Sequence, residues 1–292
     1  MTRRILSPSF FLLSVPRFLW SFPIAHPFPS RTGLSQTLYG HPRQVQVSLF
    51  SSLPQSTDTT MTVMAGPDLP PVDPTSKRLF LVRHGEVINP GGDRAVYYGA
   101  MDVPLSKLGE LEAQAAARYL EQFDLEHVVS SPLSRAIYGA EQVLLRQPSV
   151  ASDKKVVILD GFTELDRGEW CGKTKEEIGA DMMARFDACD ETVTPKGGES
   201  YPFLKQRVLE ARNKVLDLLS PGKSAVIVSH LQVTRCILSD ALDIPTAEMS
   251  KLPVATASVT CIDYNAETKT QTVHFRSFKP DVGLEKSIDG AN

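Results

Sequence analysis

The chain has 292 residues, with 31 Lys+Arg against 34 Asp+Glu, 42% hydrophobic and 22% charged residues, and a formal net charge of −3. This composition excludes a collagenous, wholly disordered or disulfide-stapled protein, and the charge balance offers no electrostatic case for a nucleic-acid partner. The four cysteines, Cys171, Cys189, Cys236 and Cys261, stand far apart without a CxxC pair. They read as reduced thiols in a non-oxidising compartment rather than as a zinc or redox site. No run of eighteen uncharged apolar residues lies in the body of the chain, so no membrane span is expected there.

In chain order, residues 1–57 carry Arg3, Arg4, Arg17, Arg31 and Arg43 but no Asp, Glu or Lys, and eleven of the 21 prolines precede residue 75. A Ser- and Pro-rich, Arg-basic, acid-free segment fits an organelle-targeting presequence, chloroplast or mitochondrial. A secretory signal over Ile5 to Ile24 is an alternative, although Pro8, Pro16, Arg17 and Pro23 interrupt its apolar run. A third is an untranslated leader, with Met61 or Met64 as the start and a cytoplasmic product. Residues 1–76 are therefore assigned to a disordered targeting region and linker, 77–278 to the catalytic domain, and 279–292 to a polar tail.

From Lys77 onward, apolar runs alternate with helical periodicity, the pattern of an α/β domain of about 200 residues. Strands are predicted at Arg78 to Val82, His127 to Ser130, Val156 to Leu159, Ser224 to Ser229, Ser258 to Tyr264 and Thr272 to Phe278. Helices are predicted after Ser106, and after Ser131 as N-cap with Pro132 in the first turn. A third opens on the Thr174/Glu177 capping box, a fourth spans about Pro202 to Leu219, and a fifth follows His230.

Three motifs carry chemistry. LVRHGE, Leu81 to Glu86, ends the first strand, and SAVIVSH, Ser224 to His230, ends another. Ligands of open α/β sheets bind at the carboxyl ends of strands, so two histidines at two such ends point to a shared site. Gly85 lets the backbone come close to a ligand there. VVSSPLSRA, Val128 to Ala136, runs a strand into a helix whose first turn holds Arg135. A cation is unfavourable at a helix N-terminus unless an anion joins it, and phosphate uses that terminus. Gly139 and Glu141, at i+4 and i+6, offer Arg135 no good helical partner.

LVRHGE with SSPLSRA, FTELDRGEW, GGES and VSH, in this order over about Lys77 to Leu242, closely resembles the histidine phosphatase superfamily, also called phosphoglycerate-mutase-like. The resemblance implies a three-layer α/β sandwich with a mostly parallel central sheet and helices on both faces. It implies that His84 is the nucleophile that becomes phosphohistidine, and that Arg83, Arg135 and His230 surround the phosphate. Glu164, within FTELDRGEW, would protonate the leaving oxygen.

Elementary chemistry agrees with these roles. A transferred phosphoryl group spreads its charge over three oxygens, so catalysis is positioning and electrostatic stabilisation. Each cation near 4 Å contributes about 4 kcal/mol at an effective dielectric near 20, before desolvation. Surrounding cations depress the pKa of His84 and keep its lone pair free near pH 7. An acid beside a bound phosphate holds its proton, as the donor role of Glu164 requires, unless Glu164 is instead paired with Arg167. No cofactor and no metal are expected, since neither an aspartate cluster nor a P-loop is present.

Three departures from the family pattern fall on the substrate rim. Asn89 stands five positions after His84, with Pro90 at the sixth, where many relatives have Asn. Asn89 is kept as a candidate phosphate ligand. Leu231-Gln232 replaces the usual Gly-Gly after the second histidine, and Cys171 replaces a common acid. GGES is expected to shape the rim and cap a helix, and Glu199 has no catalytic role. His127, His274 and Trp170 are expected to be structural. Arg94, Tyr97 and Tyr98 are candidates for contacting the rest of the substrate. Only 66 positions separate Glu164 from His230, too few for the insertions that enclose the substrate in mutases. The expectation is therefore a metal-independent phosphatase of a small phosphorylated metabolite. A phosphomutase and a non-catalytic phosphate or phosphopeptide binder remain alternatives, and the oligomeric state is open.

Overall fold

The computed structural model describes residues 66–147 and 155–283. Residues 1–65 of the segment expected to be a targeting region and linker, and residues 284–292 of the expected tail, lie outside the described residues. Among the described residues no helix is long and apolar enough to cross a membrane.

Six strands form one sheet in the order β3-β2-β4-β1-β5-β6. They are β1 (Ser76–Arg83), β2 (Leu125–Ser130), β3 (Val157–Ile158), β4 (Ser224–Ser229), β5 (Val259–Asn265) and β6 (Gln271–Phe278). The first four pair in parallel, while β5 and β6 add an antiparallel edge beside β1. All six predicted strands are present, displaced by at most two residues at an end.

The central strands are buried on both faces, which explains why β1 and β4 read as continuous apolar runs rather than as alternation. Leu79, Leu81, Ala225 and Ile227 pack on one face against Leu204, Val208 and Val215 of α5 (Tyr201–Leu218) and Val233 and Ile237 of α6 (Leu231–Ala241). Phe80, Val82, Val226 and Val228 face the other way. There they meet Ala116, Ala117 and Leu120 of α1 (Lys107–Leu120) and Ala136, Ala140 and Val143 of α2 (Ser134–Leu144). Each such aliphatic side chain contributes roughly 1.5–3 kcal/mol by leaving water. The result is the expected three-layer sandwich with a mostly parallel sheet.

Local chemistry sets the helix starts. Ser106 accepts from the Gly109 N–H, Ser200 from the Phe203 N–H, and Thr174 closes a capping box with Glu177 at α3 (Lys175–Ile178). Gly179, at φ 96°, breaks α3 from α4 (Ala180–Asp187). One expectation fails: α2 begins at Ser134, not after Ser131, and Leu133 at its cap supplies no side-chain bond. The cap comes instead from Asp102, whose carboxylate accepts from the Ser134 N–H at 2.9 Å and from its hydroxyl at 2.7 Å.

The chain ahead of β1 also packs on the domain. Leu69 lies against the core, and Arg78 donates to the Pro70 carbonyl at 2.9 Å. At the other end, Lys279 donates to buried Glu112 at 2.5 Å. His274 bonds Asp263 at 2.8 Å, and Trp170 packs edge-on against Phe186, as expected of structural residues.

Candidate active site

The parallel ladder delivers both histidines to one end of the sheet. Arg83 pairs with Ser229 in the β1–β4 register, so the residues that follow, His84 and His230, leave adjacent strands side by side. Their ring centroids are 5.2 Å apart. The His84 N–H donates to the Ser229 carbonyl at 2.9 Å, which ties the two exits together.

His84 is 3% exposed, and its Nδ1 lies 2.7 Å from the Gly85 carbonyl. A carbonyl only accepts, so Nδ1 carries the proton and the Nε2 lone pair remains for attack. Burial first, then the Arg135 and Arg83 charges, hold the His84 pKa down to about 3, against a weaker opposing effect of the Gly85 bond. The ring is therefore neutral over the physiological range. His230 is fully buried, and burial with the neighbouring His84, Arg135 and Arg83 also pushes its pKa well down. Its Nε2 lies 2.7 Å from the Ser131 hydroxyl, while its Nδ1 finds no partner among the described residues. Ser131, expected as a helix cap, is thus a partner of the second histidine.

Arg135 is 1% exposed and spends Nη1 on the Met101 carbonyl and Nη2 on the Gly99 carbonyl, at 2.7 and 2.8 Å. Arg83 donates Nη1 to the Val254 carbonyl at 2.7 Å. The Nε atoms of both are buried and have no partner among the described residues. Asp102 at the start of α2 supplies part of the negative charge that Arg135's position demanded. The remaining unsatisfied donors still favour an anion.

Glu164 sits in the loop after a 3-10 turn at Asp160–Phe162. Its carboxylate accepts from the Leu165 N–H at 2.7 Å and from the Gln232 N–H at 3.3 Å. It forms no ion pair with Arg167. The loop is anchored by Arg207, which donates to the Gly161, Thr163 and Glu164 carbonyls and forms a two-point pair with Glu199. Sequence reasoning missed Arg207. Its position on α5, eight residues after the acid of GGES, was the available signal.

A cavity of about 400 Å³ opens over this constellation. Arg83, His84 and Glu164 line it, with Tyr97, Tyr98, Arg167, Gln232 and Arg235 beyond them. Arg135 and His230 are not in its wall; they meet His84 from inside the protein. Asn89 does not join the site either. Its amide donates to the Gly92 and Arg94 carbonyls at 2.6 and 2.7 Å, closing its own loop. Arg94 pairs with Glu177 at the surface, so of the three predicted rim residues only Tyr97 and Tyr98 reach the cavity. Gly85 comes close to protein: a Cβ there would collide with the Gly109 carbonyl of α1. Among the described residues no group of three or more His, Cys, Asp or Glu could hold a metal ion.

Sheet and site together define an α/β protein that sets a neutral, cavity-lining imidazole beside half-buried Arg83 and buried Arg135, an arrangement suited to receiving a phosphoryl group. The family model of the histidine phosphatase superfamily (branch 1) matches residues 79–276, and the chain belongs to that superfamily. A bifunctional protein of Mycobacterium tuberculosis is 31% identical over 196 residues, covering 66% of this chain and 52% of its own. The chain thus spans about half the length of that relative. A Cronobacter sakazakii protein named "probable phosphoglycerate mutase" is 28% identical over 190 residues, 64% of this chain and 85% of its own. The mycobacterial glucosyl-3-phosphoglycerate phosphatase, in complex with inorganic phosphate, superposes with a TM-score of 0.57 at 26% identity. That match covers 70% of this chain and 98% of the other.

Proposed function

We propose that this protein is a metal-independent phosphomonoesterase that works through a phosphohistidine at His84 on a small phosphorylated metabolite. The observation that carries the reading is the Nδ1–H bond from His84 to the Gly85 carbonyl. It leaves Nε2 unprotonated, next to Arg83 and Arg135. In the first step Nε2 attacks phosphorus, the ester P–O bond breaks, and Glu164 gives its proton to the departing oxygen. In the second, water attacks the phosphorus, the P–N bond breaks, and Glu164 recovers a proton from that water. Arg83 and Arg135 supply the positive field for the equatorial oxygens, and the neutral ring of His230 borders the same position.

The short stretch from Glu164 to His230 favours water over a retained intermediate as the acceptor. A phosphomutase is the second reading, supported by the likeness to the Cronobacter protein. Enzyme exposed to a phosphorus-labelled aryl phosphate with EDTA present, then quenched in alkali, should carry label on His84 and release phosphate. Unchanged turnover in His84→Ala would refute the mechanism. Isomerisation of a phosphoglycerate outrunning its hydrolysis would favour the mutase, and binding without any phosphoenzyme would favour a non-catalytic binder.

A further inference from the structure

We infer that Arg167, with Arg235 beside it, forms a second anion subsite in the cavity, so that the preferred substrate is a phosphomonoester bearing a further negative group, a carboxylate or a second phosphoryl. The inference rests on the phosphatase reading and goes on to name the substrate class.

Arg167 is 6% exposed yet lines the cavity. Its guanidinium carbon lies 4.6 Å from the Tyr97 ring centroid and 5.5 Å from that of Phe186. Aromatic faces fix the plane of a guanidinium and satisfy part of its charge, but they accept no strong N–H bond. Its Nη1 is buried and has no partner among the described residues, and no carboxylate pairs with it there. Glu164, the obvious acid, is committed to two backbone N–H groups instead. A buried cation held rigidly with an unspent donor is costly for folding alone, and such groups concentrate at binding sites.

Arg235 stands in the same corner. It spends Nε on the Leu252 carbonyl at 2.8 Å and also lines the cavity. Both arginines and Asp187 act electrostatically on the Tyr201 hydroxyl. Once Arg83 and Glu164 are assigned to the reacting group, the rest of the charged lining is Arg167 and Arg235 against Asp187. The surplus is one positive charge, in a space large enough for a small metabolite beyond its phosphoryl group. A planar fork with a free edge suits a carboxylate or phosphoryl oxygen better than a hydroxyl.

The test uses the full chain and two substrate pairs. In the first, 3-phosphoglycerate and glycerol 3-phosphate differ by carboxylate against hydroxymethyl. In the second, fructose 1,6-bisphosphate and fructose 6-phosphate differ by the second phosphoryl group. At least one doubly anionic member should be preferred by roughly 30-fold in kcat/KM, and the preferred pair identifies the anion. In Arg167→Met that ratio should fall to within about 3-fold, mainly through KM, and Arg167→Lys should restore part of it. Wild-type ratios near one for both pairs, or a ratio untouched in Arg167→Met, would overturn the subsite while leaving the phosphatase reading intact. Calorimetric binding of the same pairs to His84→Ala judges the subsite without turnover. The same ratio is expected there, and equal binding of both members overturns it even if Arg167→Met fails to fold. Absence of hydrolysis and of phosphoenzyme in wild type would instead refute the phosphatase reading.

Discussion

Replacing His84 by Gln should flatten the pH dependence of stability in the ligand-free protein. Burial and the Arg135 and Arg83 charges lower the folded pKa of His84 from 6.5 to about 3. The unfolded chain therefore takes up a proton on this ring as pH falls through about 6.5, while the folded protein does not until near 3. Stability contributed by the neutral ring is complete above the unfolded pKa and is lost progressively between those values. At pH 5 the loss on this account is about 2 kcal/mol relative to pH 7.5, and by pH 3 it reaches about 4 kcal/mol. Urea denaturation at pH 7.5 and pH 5 measures it. Wild type should lose about 2 kcal/mol more than His84→Gln between these conditions, whatever constant penalty the amide imposes at both. His230 titrates in the same direction in both proteins and cancels to first order. Equal losses in the two proteins would show that His84 is already charged at pH 5, and the argument for a permanently available nucleophile would fail with it.

The same pKa sets the activity profile. On the acid side, kcat/KM should follow the second ionisation of the substrate phosphate, near about 6, rather than a histidine, which is checked by repeating the profile with substrates of different phosphate pKa. Arg207→Met removes the anchor of the Glu164 loop. It should lower kcat about 10- to 100-fold, with a smaller effect on KM, and cost about 2–4 kcal/mol by chemical denaturation, moderated because Arg207 is 20% exposed. Glu199→Gln should show the same pattern more weakly. Gly85→Ala forces a methyl group into the Gly109 carbonyl, and a loss of about 1–3 kcal/mol with reduced phosphoenzyme yield is expected.

The parts of this molecule readable from its sequence are those set by near neighbours. Strands β1, β2, β4, β5 and β6 announce themselves by Val, Ile and Phe runs. The caps Ser106, Thr174 and Ser200 lie within three residues of the N–H they satisfy. What was misread depends on groups distant in the chain. Ser131 followed by Pro132 has the local form of a helix start, yet Asp102, 32 positions before Ser134, caps α2 and leaves Ser131 to His230, 99 positions after it. Asn89 turns back on its own loop: the Gly92 and Arg94 carbonyls, three and five residues on, take its amide protons. Gly85 answers to Gly109 across the helix–strand contact, which no window around residue 85 contains.

The same non-local logic explains why the site is expensive and how it is sustained. Arg83 Nε and Arg135 Nε are buried donors, and His230 Nδ1 a buried ring nitrogen, without partners among the described residues, clustered within one electrostatic neighbourhood. Each is the kind of group whose burial costs about 1–3 kcal/mol when unmatched. The two guanidinium groups are held in place by carbonyls presented at sheet and loop ends, those of Val254, Met101 and Gly99, which cannot follow the cations if these turn away. Those carbonyls orient the guanidinium groups but carry no full charge to neutralise them, whereas a paired carboxylate would have quenched the field. The fold thus fixes direction with dipoles, and Glu164 and Asp102 act on Arg135 only through space, without a direct ion pair among the described residues. That is the condition under which an incoming phosphoryl group, rather than a resident acid, completes the pairing.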